Sequence, residues 1–203
     1  MRSLVAASAN PDKLAEMISV LASVGIEVLA RPVEVGEVVE DGDSLTANAR
    51  LKATAVAEAV ASGGRPAVAE DTGLEVDALG GAPGIHAARY AGPEASYEDN
   101  VTALLAALQQ VGATQVGQRR ARFRTVALVR WPDGREVVAE GVVEGHIATD
   151  RRGGGWGYDP IFVPDGEGGL TFGQLSRVEK DRISHRGRAL RALAGALEEA
   201  WPR

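Results

Sequence analysis

The chain has 203 residues, a length that suits one globular domain with a substantial core. Asp and Glu number 28 against 22 Lys and Arg, and the resulting net charge of −6 disfavours binding to a nucleic-acid polymer. Because cysteine is absent, disulfides and thiolate sites are excluded, and any metal should be a hard cation held by carboxylates.

The first candidate site follows the first predicted strand. Residues 3–7 form a short apolar strand, and residues 11–24 have the periodicity of an amphipathic helix with Asn10 as its N-cap. Lys13 falls in the first turn of that helix, where the helix dipole disfavours a cation. Either the helix N-terminus binds an anion together with Lys13, or Lys13 is an ordinary surface residue.

An acidic loop separates the next two elements. Residues 26–30 are predicted as a strand and residues 44–61 as a helix that ends at Ser-Gly-Gly. The loop between them, residues 34–43, contains Glu40. Alone, Glu40 is an ordinary surface residue, and it gains meaning only as a second carboxylate for Mg²⁺.

Two adjacent carboxylates mark the next candidate site. Strands are predicted at 66–69 and 74–79, and Glu70 and Asp71 begin the turn between them. We do not expect both carboxylates to lie in the core. At the carboxyl end of a strand they can hold Mg²⁺ and orient a water molecule, whereas the alternative is a solvated acidic turn. A glycine-rich loop follows at 80–84.

A helix and a hairpin precede an aromatic loop. Residues 96–111 are predicted to be helical, and residues 121–131 and 135–147 to form a hairpin across Pro-Asp-Gly. The glycine-rich, flexible loop 153–160 then carries Trp156, in a chain with only 4% aromatic residues. An indole among glycines is suited to stack on a flat base, and a hydrophobic plug at the sheet edge is the alternative.

Basic residues mark the end of the chain. The last elements are a strand and two helices, predicted at 161–163, 174–181 and 185–200. Lys180, His185 and Arg186 place three basic side chains around the start of the final helix. Cations there indicate an anion or a keto oxygen, with a solvated basic face as the alternative.

The order of these elements predicts the fold class. Helices and strands alternate and a hairpin is inserted, which indicates an α/β domain over residues 1–203 with a mixed central β-sheet flanked by helices. No run is apolar enough to span a bilayer, and the first residues lack the apolar stretch of a signal peptide. We therefore expect a cytoplasmic location and no membrane partner.

Five segments, in order, resemble the motifs of the inosine triphosphate pyrophosphatase family, the Ham1-like proteins. They are 8–13, which resembles [ST]-x-N-x-x-K, then 48–53, which resembles N-A-x-x-K-A, then a run made of 69–73, 76–84 and 88–90, and finally 156–162 and 183–187. The resemblance covers nearly the whole chain. It implies two lobes with a nucleotide-binding cleft, a homodimer, and Mg²⁺-dependent hydrolysis of the purine nucleoside triphosphates ITP, dITP and XTP to the monophosphate and pyrophosphate.

The resemblance also implies roles for individual residues. Asp71 would be the catalytic carboxylate that orients or deprotonates water, and Glu40 and Asp71 would bind Mg²⁺. The triphosphate would be held by Ser8, Asn10, Lys13 and Lys52. Trp156 would stack on the base, and the residues around the base would be Asp159, Lys180, His185 and Arg186. Further substrate contacts are expected from Ala9, Pro11, Asp12, Thr72, Gly157 and Tyr158.

The chain departs from the family pattern at three sites. Glu70 replaces an aspartate, so that a longer carboxylate reaches the metal shell. Pro11 and Asp12 replace a glycine-bearing pair and stiffen the phosphate loop. Trp156 stands where phenylalanine is usual and enlarges the stacking surface.

Three other functions remain open on the sequence. They are a Maf-type pyrophosphatase for pyrimidine or modified nucleotides, a catalytically silent nucleotide-binding protein, and a phosphatase that releases orthophosphate. For the preferred function, selectivity would come from donors facing the 6-keto oxygen of the base, because adenine carries an amino donor there.

Overall fold

The computed structural model describes residues 2–201, without the side chain of Asp12. The helices in this range are α1 (Pro11–Ala22), α2 (Leu45–Ala59), α3 (Tyr97–Gln110), α4 (Arg177–Ile183) and α5 (His185–Ala200). The strands are β1 (Arg2–Ala6), β2 (Ile26–Leu29), β3 (Ala67–Val76), β4 (Pro83–Gly84), β5 (Arg120–Arg130), β6 (Glu136–Ile147) and β7 (Phe162–Pro164). Among the described residues, none of the helices is long and apolar enough to cross a membrane.

The strands form one mixed sheet. Their order is β2-β1-β3-β5-β6-β7, and β4 pairs with β3 outside this path. β1 runs parallel to β2 and β3, whereas β4 is antiparallel to β3 and β7 is antiparallel to β6. The predicted α/β class with a mixed central sheet is confirmed.

The predicted turn at residues 70–73 is wrong. β3 is one continuous strand of ten residues that includes the predicted turn, and both Glu70 and Asp71 are buried. Because successive residues of a strand face opposite sides of the sheet, each carboxylate meets its own cationic partners. The expectation that both could not be buried failed because those partners lie far away in the sequence. β3 then ends at Val76, and the predicted strand end at 77–79 is a 3₁₀ turn.

The chain divides into two compact units, each built from separate stretches of sequence. The first comprises residues 2–71, 125–141 and 185–201. Its core includes Leu4, Met17, Leu21, Ile26 and Leu193, which are all fully buried. Gly141 of β6 lies against α5 so closely that a Cβ atom there would fall 2.1 Å from the carbonyl oxygen of His185.

The second unit comprises residues 72–124 and 142–184. Three phenylalanines lie at its core, with the ring of Phe162 at 4.7 Å from Phe123 and 5.1 Å from Phe172. Such spacings are typical of favourable aromatic pairs. This core supports the loop that carries Trp156.

Capping residues account for several helix boundaries. The Ser44 hydroxyl accepts a hydrogen bond from the amide of Ala47 at the start of α2, and Ser96 and Asp99 form the predicted capping box of α3. The predicted helix 174–181 is displaced, because a capping box between Ser176 and Glu179 begins α4 at residue 177.

Candidate active site

The segment between β1 and α1 forms the predicted helix cap. The amide of Asn10 donates to the Ser8 hydroxyl at 3.2 Å, and the amide of Lys13 donates to Oδ1 of Asn10 at 3.2 Å. Asn10 is therefore the N-cap of α1, as predicted. Ala9 and Pro11 beside it are exposed. The predicted contact of Asp12 involves a side chain that lies outside the part of the chain that the structure describes.

A buried carboxylate accounts for the position of Lys13. Its ammonium lies 3.3 Å from Oε1 of Glu70, and the Glu70 side chain is only 1% exposed. Lys13 thus has an anionic partner within the protein, and the predicted binding of an anion at the start of α1 stays a prediction. One oxygen of Glu70 thus pairs with Lys13, and the predicted reach of this carboxylate into the metal shell stays a prediction.

Arg186 holds the other oxygen of that carboxylate. Its Nε donates to Oε2 of Glu70 at 2.6 Å, and a second nitrogen donates to Glu16 at 3.0 Å. Burial alone would raise the pKa of Glu70, but the charges of Arg186 and Lys13 hold it below its usual value. The structure places Arg186 in this ionic network, and a contact between Arg186 and a base stays a prediction.

Asp71 faces a different set of partners on α2. Oδ1 lies 2.8 Å from the ammonium of Lys52, and Oδ2 accepts a hydrogen bond from the Asn48 side chain at 3.3 Å. Asn48 and Lys52 lie one turn apart and so share a helix face. Oδ1 of Asn48 also accepts from the amide of Gly42, which fastens the acidic loop to α2.

Glu40 joins this group through the same lysine. Its carboxylate lies 3.2 Å from Nζ of Lys52, so that one ammonium bridges Glu40 and Asp71. Burial raises the pKa of Asp71 above its ordinary value; Lys52 only partly opposes this, and Glu40 adds to it. A carboxylate with a raised pKa is a better proton acceptor than an exposed one.

The donor set fits a metal ion that is shared with a substrate. Within residues 2–201, no group of three or more His, Asp or Glu side chains could hold a metal ion by itself. Glu40 and Asp71 nevertheless converge on one point, which Lys52 now occupies. Since Mg²⁺ is often bound by one or two carboxylates together with substrate phosphates, these two residues are suitable ligands for it.

The imidazole of His185 is hydrogen-bonded to Thr125. Its Nδ1 lies 2.6 Å from the Thr125 hydroxyl, and the residue is buried at the first position of α5. The hydrogen bond fixes the orientation of the imidazole ring. Whether Nε2 contacts a substrate stays a prediction.

The second unit contains a group centred on Trp156. The carboxylate of Asp159 accepts from the amide of Trp156 at 3.2 Å and forms an ion pair with Lys180. The Lys180 ammonium lies 5.2 Å from the centroid of the Trp156 ring, within the range of a cation–π contact. Tyr97 is a further neighbour, with its ring 6.0 Å from that of Trp156.

The glycines of this loop permit close packing. A Cβ atom on Gly153 would lie 2.2 Å from the carbonyl oxygen of Gly173, and one on Gly155 would lie 2.6 Å from Oδ2 of Asp159. The amide of Gly154 donates to Gly173 at 2.9 Å. Glycine is therefore required at residue 153 by the neighbouring backbone and at residue 155 by the Asp159 side chain, whereas the predicted flexibility of the loop stays a prediction.

Tyr158 does not offer its side chain to a substrate. Its ring is buried in the core of the second unit, and its hydroxyl donates to the carbonyl of Ala87 at 2.8 Å. Burial raises the pKa of Tyr158 well above its ordinary value. The predicted contact at this position can come only from the backbone. Gly157 beside it has a left-handed φ of 60°, and Thr72 is half-buried in β3 next to Asp71.

Sequence reasoning missed three contributors to these groups. Asn48 orients Asp71, Glu16 fixes Arg186, and Tyr97 flanks Trp156. The spacing of Asn48 and Lys52 was a visible signal, because residues four apart lie on one helix face. Glu16 and Tyr97 carried no comparable signal.

Comparisons with known proteins support one family. The model of the Ham1 family matches residues 4–196. The dITP/XTP pyrophosphatase of Methylococcus capsulatus is 46% identical over 200 residues, which cover 97% of this chain and 96% of that protein. The enzyme of the same name from Thioalkalivibrio sulfidiphilus is 47% identical over 200 residues, which cover 96% and 98%. A HAM1 protein from Coxiella burnetii has a similar structure, with a TM-score of 0.88, 36% identity and coverage of 98% and 100%.

Proposed function

The chain belongs to the Ham1 family, and from that premise we propose that it hydrolyses ITP, dITP and XTP to the monophosphate and pyrophosphate. The relatives at 46% and 47% identity are named dITP/XTP pyrophosphatases and match nearly their full length. The observation that carries the proposal is the buried carboxylate of Asp71, oriented by Lys52 and Asn48. Such a group is suited to position and deprotonate a water molecule.

The proposed reaction breaks the anhydride between the α- and β-phosphates. A water molecule held by Asp71 attacks the α-phosphorus, its proton passes to the carboxylate, and pyrophosphate leaves with the bridging oxygen. Lys52 and Lys13 stabilise negative charge on the phosphates, a role for which preorganised cations are effective. Their carboxylate partners hold both ammonium groups in place before the substrate arrives.

We propose that the reaction depends on Mg²⁺. Glu40 and Asp71 would hold the ion, which would neutralise charge on the phosphate oxygens when bound. Support comes from the convergence of the two carboxylates on Lys52 and from the hard-ligand chemistry of a chain without cysteine.

The base would be recognised in the second unit. Trp156 offers a half-buried indole for stacking, and the ammonium of Lys180 lies beside it as a hydrogen-bond donor. A 6-keto oxygen can accept from a lysine, whereas the amino group of adenine cannot. This difference supports a preference for deaminated purines over ATP.

One experiment separates this function from its alternatives. The purified protein is incubated with ITP, dITP, XTP, GTP, ATP and dTTP, with Mg²⁺ or with a chelator, and pyrophosphate and orthophosphate are measured separately. We expect pyrophosphate from the three deaminated nucleotides, and only with Mg²⁺. Preference for dTTP would indicate the Maf-type activity, orthophosphate as first product a phosphatase, and binding without turnover a silent binding protein.

A homodimer and a cytoplasmic location complete the proposal. The first rests on the family resemblance, and the second on the nucleotide substrates proposed above. Light scattering on the purified chain measures the first, and cell fractionation the second.

A further inference from the structure

A cavity lies in the first unit, at the opposite end of its parallel strands from the Ser8–Lys13 segment. It is open to solvent, has a volume of about 420 Å³, and is lined by Arg2 at the start of β1 and by Arg65 just before β3. Because β1 and β3 are parallel, their amino ends share one edge of the sheet and their carboxyl ends the other. The volume falls within the range of about 300–1,000 Å³ that is usual for small-molecule sites.

The charge of this cavity is opposite to that of the chain. Its lining contains three arginines and one aspartate, whereas the whole chain carries a net charge of −6. Arg135 pairs with the carboxylate of Asp133 at 2.7 Å. Over residues 2–201, Arg2 and Arg65 have no ion pair with a carboxylate. Guanidinium groups of this kind are suited to bind a phosphate through paired hydrogen bonds.

The walls of the cavity are aromatic. Two of the three tryptophans of the chain, Trp131 and Trp201, line it with their rings 5.7 Å apart in an edge-to-face arrangement. Arg135 lies 5.2 Å from the ring of Trp131, and Arg2 lies 5.6 Å from that of Trp201. Trp131 is buried, whereas Trp201 is only partly so and offers ring surface for stacking.

We propose that this cavity binds a nucleoside monophosphate, with the base against Trp201 and the phosphate on Arg2 and Arg65. A flat aromatic wall and guanidinium groups without carboxylate partners are the complementary chemistry for a base linked to a phosphate. The site is separate from the residues that the proposed hydrolysis uses, and the inference does not depend on that hydrolysis.

The distribution of tryptophans provides a direct test. In a Trp156→Phe variant the two remaining tryptophans both line the cavity, so intrinsic fluorescence excited at the red edge of the indole band reports on it. Inosine monophosphate is the probe. We expect saturable quenching by the monophosphate, and quenching at least about tenfold weaker in affinity by inosine, which lacks the charged group.

Charge reversal at Arg65 is the decisive variant. Arg65 is exposed, so Arg65→Glu in the Trp156→Phe background should fold normally. We expect its affinity for inosine monophosphate to fall by about ten- to a hundredfold, the range for lost hydrogen bonds to a charged group. Arg191→Glu, an exposed arginine on α5 outside the cavity lining, is the matched control and should bind as the parent does.

The same variants separate this site from the active site. Arg65→Glu in the otherwise unchanged chain should hydrolyse ITP at the normal basal rate, because Arg65 is not part of the hydrolytic group. Absence of saturable quenching, quenching that survives Arg65→Glu, or equal quenching by inosine would each overturn the proposal. Failure of the unchanged chain to hydrolyse ITP would count against the proposed function and leave the binding result intact.

Discussion

The ammonium of Lys52 lies 2.8 Å from Oδ1 of Asp71, and Asn48 holds the other oxygen of the same carboxylate. Lys52 also reaches Glu40 at 3.2 Å. This arrangement keeps two acidic groups close together, because the positive charge between them offsets their repulsion. If a divalent ion and a phosphate enter together, the ion would take the place of the Lys52 ammonium beside the two carboxylates. The ammonium would then pair with the phosphate, so that neither carboxylate is left without a cation.

Asp71→Asn tests the proposed base. The amide keeps the shape of the side chain but accepts no proton, so we expect kcat to fall by about 10²–10⁴-fold while nucleotide affinity changes little. Asp77→Asn is a suitable control, since it neutralises a half-exposed carboxylate that pairs with Arg122. Steady-state kinetics with ITP and a binding titration check both. Normal turnover in Asp71→Asn would show that another group activates the water.

Glu70→Gln tests the buried ionic network. Arg186 is only 3% exposed and would lose the carboxylate that Nε contacts, while Lys13 would lose its partner too. Breaking a buried ion pair costs about 3–5 kcal/mol, and the remaining bond from Arg186 to Glu16 favours the lower end of that range.

Urea unfolding measures this effect against a matched variant. Glu75→Gln lies on the same strand, where its partly exposed carboxylate pairs with Arg122 and Arg124. It should cost less than about 1 kcal/mol, as exposed ion pairs do. Equal free energies of unfolding for the two variants would contradict the structural role of Glu70.

Elements with local signals could be predicted from the sequence. β1, α1 and α3 were identified because apolar periodicity and caps such as Asn10 and Ser96 act within a few residues. The middle of β3 could not be identified, since Glu70 is stabilised there by Arg186, 116 residues away. Local rules treat a carboxylate as solvated, and only the folded chain reveals its partner.

In the candidate site, too, motifs could be read from the sequence, whereas contacts between distant residues could not. The sequence indicated Lys13, Lys52 and Asp71 as site residues through their motifs, but it contained no sign that Lys13 would pair with Glu70. Composition predicted a flexible glycine-rich loop around Gly153, but it gave no sign of why glycine is needed there. In the folded chain the backbone of residue 173 passes too close to Gly153 for a side chain.

Trp156→Ala tests the stacking surface. Loss of a base–aromatic contact worth about 1–3 kcal/mol should raise KM for ITP about 5- to 150-fold. Trp156→Phe keeps an aromatic face and should stay within a few-fold of the unchanged chain. If both variants keep a normal KM and alanine only lowers the free energy of unfolding, Trp156 is a hydrophobic plug rather than a platform.

Tyr158→Phe tests the hydrogen bond that joins the Trp156 loop to residue 87. The variant removes the hydroxyl that donates to the carbonyl of Ala87, and an unpaired buried acceptor costs about 1–3 kcal/mol at neutral pH. Phenylalanine fills the same space in the core, so little of this loss should come from packing. Chemical denaturation at neutral pH measures the difference.

The stability difference between the unchanged chain and Tyr158→Phe should change at alkaline pH. Burial raises the pKa of Tyr158, so the folded state favours the neutral phenol. The stabilisation that the neutral phenol of Tyr158 provides is fully present below the ordinary tyrosine pKa of about 10. It is lost as the pH rises through the pKa that Tyr158 has in the folded state. Above about pH 10 the unchanged chain should therefore lose up to about 1.4 kcal/mol per pH unit relative to Tyr158→Phe. A stability difference that stays constant from about pH 8 to about pH 11 would contradict a buried, neutral Tyr158.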